Sequence, residues 1–191
     1  MTWEADFLSF GGLAGLMLMA LWFSVVARTH FSQGSPRRPI LFALEGLSLA
    51  ICLGTIAVVS FGSRVAPSRS IGALALACAA GILFSSALRA TRQRKFGVVF
   101  GRSVPSAVVQ HGPYRYIRHP LYTSYMLNWI GCTVLSGSFL IGAGSLIVAI
   151  LYILAARGEE RDLLKSELGT TYSEYRNKTG LILPRLWRKP Q

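Results

Sequence analysis

The sequence predicts an all-α polytopic membrane protein, with about five transmembrane helices and a short cytoplasmic C-terminal helix. Three observations predict it. Of the 191 residues, 52% are apolar and only 15% charged, against roughly 25% charged in soluble domains, and mean hydropathy is +0.45. The apolar residues gather into runs near the ~20 residues that a spanning helix needs. The basic residues gather between alternate runs. This composition excludes a disordered chain, a collagen-like chain and a disulfide-stapled secreted domain.

The runs follow in order. Phe7–Ala27 is the first, preceded by Glu4 and Asp6 and by no Lys or Arg before Arg28. A signal peptide needs a basic n-region, so this run is expected to stay as a span. Ile40–Phe61 is the second, interrupted by Glu45, and Ile71–Leu88 is the third. The polar, basic stretch Arg89–Pro120 separates them from Leu121–Leu135 and Phe139–Ala156, which Ser136-Gly137-Ser138 joins. Both are short for a full span and read as a tight helical hairpin in a tilted or locally thinned setting. From Arg157 the chain is charged, with helical periodicity up to Pro184. The whole reads as one membrane-integral domain over 1–191. Residues 1–90 hold three N-terminal spans. Residues 91–191 hold a loop, the hairpin and the tail.

Charge sets the orientation. Arg28–Pro39 carries three basic residues, Arg89–Pro120 seven and Arg157–Gln191 eight, so 18 of the 20 fall on one side of a five-span protein. The N-terminus is expected outside and the C-terminus in the cytoplasm. The net charge of +12 is then positive-inside bias with affinity for anionic headgroups, and no nucleic-acid partner is expected because no recognition module accompanies it.

Several residues invite a role and have a plainer one. Cys52, Cys78 and Cys132 lie singly in apolar runs, with no ligand spacing for a metal, and read as small buried apolar groups. Gly11 and Gly15 form a GxxxG pair, and Gly142 and Gly144 sit in the last run; all four read as close-packing positions between helices. Trp3, Trp22, Trp129 and Trp187 read as interfacial anchors. Glu45 lies about one and a half turns into its helix and reaches for the interface. Asn128 is expected to hydrogen-bond a neighbouring helix. No internal repeat supports an inverted-repeat transporter, and nothing in the sequence fixes an oligomeric state.

Chemistry concentrates in two cytoplasmic clusters. The first runs from Gln110 to Tyr122, with Gly112-Pro113 starting a turn and Pro120 fixing the entry to the fourth span. Between them lie Tyr114, Arg115, Tyr116, Arg118 and His119. An interfacial anchor explains this composition but not His119 and Pro120 pinned at a helix start. The second cluster is Arg157-Gly158-Glu159-Glu160-Arg161-Asp162. Carboxylates at that depth are costly unless paired or used, and a pair neutralised by Arg157 and Arg161 is the plain alternative. The clusters flank one hairpin, so they end on the same side and together can enclose a pocket.

The run Gly112-Pro113-Tyr114-Arg115-Tyr116-Ile117-Arg118-His119-Pro120-Leu121-Tyr122 closely resembles the GPYRYxRHPxY signature of the isoprenylcysteine carboxyl methyltransferase-like family, relatives of the phospholipid N-methyltransferases. Arg157-x-Glu159-Glu160, Leu163, Gly169, Tyr172, Tyr175 and Leu183-Pro184 resemble its tail. The resemblance covers about Phe96 to Pro184 and implies a membrane-embedded methyltransferase that uses S-adenosyl-L-methionine. No GxGxxG of a soluble cofactor fold is present. By resemblance, Ser106, Ala107, Val108 and Val109 supply backbone contacts to the cofactor. Gly112, Tyr114, Arg118, His119, Pro120, Leu121, Tyr122 and Glu160 complete the cofactor site. Arg157 is the counterpart of the arginine near the acceptor, although the spacing to the cofactor Glu is one residue shorter than in eukaryotic members. Ser124 stands where the family has Gly.

The chemistry agrees with this implication. Glu160 can pair with the cofactor's ammonium, and Tyr114 or Tyr122 can face its sulfonium. Methyl transfer is an in-line displacement that depends on proximity and orientation. An amine acceptor needs a base, for which His119 and Glu159 are the candidates, while His119 is equally suited to holding the loop. Catalytic roles are therefore expected for Arg157, His119 and Glu159. The expected acceptor is a lipid-like or prenylated molecule, foremost the carboxylate of a prenylcysteine-like substrate. A phospholipid amine or a small thiol is the alternative. Two rivals stand further off: a sterol-reductase-like enzyme holding NADPH through the basic loop Arg92–Arg102, and a non-catalytic scaffold. The short chain suggests a bacterial inner-membrane protein among membrane lipids.

Overall fold

Proline punctuates the helices. Pro39, Pro67 and Pro120 each stand at a helix's first position, where the missing N–H is not needed and the fixed φ already suits the helix. The computed structural model describes residues 2–31, 39–62, 65–92 and 108–185, with side chains from Phe7 in the first helix. The described residues are all-α, with six helices: α1 Thr2–Phe31, α2 Pro39–Phe61, α3 Pro67–Arg92, α4 Pro120–Ser136, α5 Phe139–Leu164 and α6 Gly169–Lys178, with a 3₁₀ turn at Gly112–Arg115 before α4. Four of them, α1, α2, α3 and α5, are long and apolar enough to cross a membrane.

The hairpin partner α4 is shorter, 17 residues, or about 26 Å at 1.5 Å per residue. It makes up in burial what it lacks in length. Thirteen of its residues are buried, and α1, α2, α3 and α5 all pack on it, α3 most extensively. Phe42, Leu53, Ile82 and Leu146 on the surrounding helices are exposed and form the kind of apolar outer face that a bilayer covers.

Close packing follows small residues, but not all those expected. A methyl at Gly15 would meet Leu74 and Ala77 of α3 at 3.5 and 3.7 Å, whereas one at Gly11 meets nothing within 4 Å. The α1 contact runs instead through Gly12 and Gly15, one turn apart, with Gly12 against Ser70 and Leu135. Gly142 and Gly144 do sit at contacts, with Thr133 and Ile51.

Three other expectations are corrected. Trp129 is buried in the bundle because α4 has helices on every side, so it is no belt residue, while Trp22 is exposed and rests edge-on to Phe84. Cys78 is exposed on α3, unlike buried Cys132. Asn128 is buried, yet neither of its amide atoms has a hydrogen-bond partner among the described residues. Glu45 is exposed on α2. Trp3 and Trp187 lie outside the described side chains.

The turn between α4 and α5 closes at Gly137, whose φ of 60° is left-handed, with its N–H donating to the Thr133 carbonyl at 2.9 Å. Glycine reaches this conformation without the Cβ penalty. The fifth run proves longer than its apolar stretch. α5 continues through Arg157, Glu159 and Glu160 to Leu164, and about 20 residues of rise from Phe139 bring a ~30 Å hydrocarbon layer to its edge near Glu159.

Candidate active site

The loop 108–119, the end of α5, α6 and the residues after α6 converge at one end of the bundle. Gly112, at φ 59°, and Pro113 start the 3₁₀ turn, which packs on α3. The chain then runs beside the C-terminal segment as a short parallel bridge, Ile117 with Gly180. Arg118 N donates to Gly180 O at 2.8 Å, His119 N to Leu181 O at 3.1 Å and Gly180 N to Tyr116 O at 3.1 Å. Thr123 Oγ1 adds a bond to Ile182 O at 2.8 Å, and Tyr175 of α6 donates to the Tyr114 carbonyl at 2.7 Å. Two stretches 60 residues apart in sequence are thus fastened backbone to backbone.

Glu160 is the centre of this junction. Its side chain is 7% exposed and that of Arg118 9%. Arg118 Nε donates to Glu160 Oε1, and Tyr172 OH donates to the same oxygen at 3.0 Å. Arg176 Nε stands 3.9 Å from Oε2. Arg118 is itself anchored, with Nη1 donating to the carbonyls of Thr179 and Arg176. The plain expectation of a pair neutralised by Arg157 and Arg161 is therefore replaced. The partner is Arg118, 42 residues away, and Arg161 donates to the Arg157 carbonyl at 3.2 Å.

Glu159 faces α4. Tyr122 OH donates to Glu159 Oε1 at 2.6 Å. His119 lies between the two carboxylates, with Nδ1 3.6 Å from Glu159 Oε2 and Nε2 3.6 Å from Glu160 Oε1. At that separation Nε2 is buried without a hydrogen-bond partner. The imidazole stacks on Tyr122 at 5.5 Å with planes 5° apart. Beneath it, Tyr122 stacks on Tyr152 of α5 at 5.2 Å, Tyr125 lies 5.4 Å from Tyr152 and 4.7 Å from Phe23, and Phe23 touches Phe84 at 4.6 Å. An aromatic column runs from the carboxylates into the bundle.

The phenols outside the spans are held neutral. Burial, then the Glu160 charge, pushes the Tyr172 hydroxyl well above its ordinary value. Burial does the same for Tyr175 and, with lesser contributions from Tyr175 and Glu159, for Tyr114. All three remain donors at neutral pH.

The structure thus gathers Arg118, His119, Tyr122, Glu159 and Glu160, with Tyr114 beside them. Pro120 and Leu121 are buried and serve α4 packing. Val109 is buried and Val108 partly so, while Ala107 and Ser106 lie outside the described residues, as does the loop Arg92–Arg102 except its first residue. Arg157 stands apart: it is exposed and forms no ion pair among the described residues. Tyr172 and Arg176 join the cluster without having been singled out for it. Tyr172 was legible only as a tail position of the family resemblance, and Arg176 carried no signal beyond its charge. Among the described residues, no group of three or more His, Cys, Asp or Glu gathers as for a metal.

Residues 68–171, more than half of the chain, match the family described as phospholipid methyltransferase. The chain belongs to that family. A relative within reach is methanethiol S-methyltransferase 2 of Bradyrhizobium diazoefficiens, 34% identical over 77 residues, which cover 40% of this chain and 28% of that protein. The chain therefore matches just over a quarter of the relative's length. The family resemblance of the Gly112–Tyr122 run is upheld. The matched stretch holds α4, α5, Arg118 and Glu160, and stops one residue short of Tyr172.

Proposed function

We propose that this methyltransferase transfers a methyl group from S-adenosyl-L-methionine to a small thiol at the bilayer edge, on the cytoplasmic side of a bacterial inner membrane. The observation that carries the acceptor is the position of Arg157. A prenylcysteine-like carboxylate needs a cation beside the transfer site, and the expected cation, Arg157, is exposed and forms no ion pair among the described residues. The space under His119 is filled by Tyr122, Tyr125 and Tyr152, an apolar aromatic wall suited to a compact, weakly polar nucleophile. The relative named for methanethiol agrees with this reading.

The donor set fits the cofactor. Among the described residues Glu160 Oε2 has only Arg176, at 3.9 Å, and it can accept from an ammonium. Arg118 offers a guanidinium to a carboxylate, and the buried Nε2 of His119 lacks a partner that a bound polar group can supply. Val108 and Val109 would lie against it with Gly112, and Tyr114 and Tyr122 would present rings to its cationic end. The cofactor supplies a methyl group activated on a sulfonium. The protein's part is to align the acceptor and keep water out. His119 takes the thiol proton, with Glu159 facing its Nδ1 at 3.6 Å, a step needed because a thiol of ordinary pKa is mostly un-ionised at pH 7. Tyr122 holds Glu159 in place through its 2.6 Å bond.

The test is product analysis with methyl-deuterated cofactor and the purified protein, offering methanethiol, a farnesylcysteine and phosphatidylethanolamine in parallel. Labelled dimethyl sulfide is expected, abolished in Glu160→Ala and reduced at least ~100-fold in His119→Ala. Labelled methyl ester or methylated headgroup in its place would overturn the thiol assignment.

A further inference from the structure

On the outer side of the Arg118–Glu160 junction lies a groove of about 430 Å³, lined by Arg118, Ser173, Arg176, Asn177 and Arg185 with the backbone of 179–181. It carries three guanidiniums and no carboxylate. Glu160 lies behind it and is taken by Arg118 Nε and Tyr172. Arg118 spends Nη1 on two carbonyls. Arg176 is half exposed and no nearer than 3.9 Å to Glu160. Arg185 fixes itself by donating to the Asn177 carbonyl at 2.6 Å, so the third cation is tethered rather than trailing. Ser173 and Asn177, one helical turn apart on α6, add neutral donors on the same wall. Three cations against one shared carboxylate leave the groove about two charges positive, and of the three the methyl-transfer reading uses only Arg118.

We propose that this groove binds a phosphate-class anion. Guanidiniums match phosphate oxygens in planar, bidentate fashion, and the volume suits a phosphate with an ester substituent. The groove lies beside the end of α5, where the helix leaves the hydrocarbon layer, on the side that holds most of the basic residues. Anionic leaflets attract such sites. The phosphate can therefore be that of a lipid headgroup or a free phosphate monoanion or dianion, and the experiment separates the two.

Full-length protein in detergent is incubated with equimolar phosphatidylglycerol and phosphatidylcholine, and retained lipid is read by native mass spectrometry. Inorganic phosphate is titrated separately by calorimetry at constant ionic strength. The wild type is expected to retain phosphatidylglycerol about tenfold over phosphatidylcholine. The double variant Arg176→Gln, Arg185→Gln loses that preference, while Arg176→Lys keeps most of it. Ser173→Glu, at an exposed position, leaves every arginine in place and is expected to abolish binding by charge alone, which covers a double variant that fails to fold. Retention of the lipid only identifies the headgroup as the source. Saturable binding of inorganic phosphate with the same arginine dependence adds free phosphate. Equal retention of both lipids with no phosphate binding overturns the proposal. So does anion binding unchanged in the double variant and in Ser173→Glu. A double variant that weakens S-adenosylmethionine binding with phosphate and lipid unaffected overturns it too, and assigns the groove to the cofactor.

Discussion

Glu160 owes its position to two donors, Arg118 in the loop and Tyr172 on α6, with Arg176 of α6 at 3.9 Å and His119 at the head of α4 at 3.6 Å. A carboxylate and guanidinium this deep are stable as a pair, and removing one partner strands the other at a cost of about 3–5 kcal/mol. Glu160→Ala is therefore expected to lower the thermal midpoint of the detergent-solubilised protein as well as its activity, and Glu160→Gln to retain more of the fold than of the activity. Tyr172→Phe removes one hydrogen bond to a charged group, about 1.5–3 kcal/mol, and leaves Arg118 in place. Its melting shift should be smaller than that of Glu160→Ala, and an equal shift would show that the phenol carries the junction. The phenols also give a pH signature. Tyr172 and Tyr175 are raised in the folded state, so the native protein holds protons that the unfolded chain releases near pH 10. Their contribution is complete below about pH 10 and falls as pH rises further. The thermal midpoint should bend downward there, and Tyr172→Phe should flatten the bend.

At the scale of elements, the structure depends on two kinds of glycine. Gly131 lies where α4 meets α1: a methyl there would fall 2.6 Å from Leu16 Cδ2 and 3.7 Å from the Ala73 carbonyl oxygen. Gly131→Ala should cost about 1–3 kcal/mol through overpacking. Gly158, with nothing within 4 Å, only loosens α5, and Gly158→Ala should stabilise it by about 0.5–1 kcal/mol. Opposite shifts in paired melting curves are expected, and shifts of the same sign would refute the packing argument. These glycines also mark what the sequence made legible. Hydrophobic runs, prolines at helix starts and Gly137 in the hairpin turn each act locally, so the helices and their order could be read directly. Trp129, Asn128 and Gly11 were misread because their neighbours come from other helices, and a run of apolar letters does not say which face looks at lipid. The site divides in the same way. His119, Tyr122, Glu159 and Glu160 were visible as polar residues at the two ends of a hairpin. Arg118 as the partner of Glu160 was not, because its link depends on a backbone bridge to Gly180 that leaves no periodicity. Arg157 is exposed and unpaired among the described residues: it stands two residues before Glu159, and at 100° per residue such neighbours point about 160° apart.

Across the whole molecule, charge and geometry make the same demand. The junction, the groove and the ends of α4 and α5 lie together, and the loops that join the bundle at this end carry most of the cations. The hairpin turn at Gly137 lies at the other end, beside the short connection to which only Arg64 and Arg69 contribute. Positive charge is retained on the cytoplasmic side during insertion, so the junction should face the cytosol, where S-adenosylmethionine is made, and the hairpin turn should face outward. The prediction is a labelling pattern in intact cells. In a background with Cys52, Cys78 and Cys132 replaced by Ser or Ala, Ser138→Cys at the turn should react with a membrane-impermeant maleimide from outside. Ser173→Cys on α6 should react only after the membrane is permeabilised. The reverse pattern would put the carboxylates and the arginine groove outside the cell, away from the cofactor, and would remove the cytosolic methyl-transfer reading along with the orientation. Labelling of both positions from one side would mean that α4 and α5 do not cross as a pair. Their lengths allow that question to be asked: α4 at about 26 Å spans only a layer thinned or tilted around it, and its neighbours on all sides are what make so short a crossing tolerable.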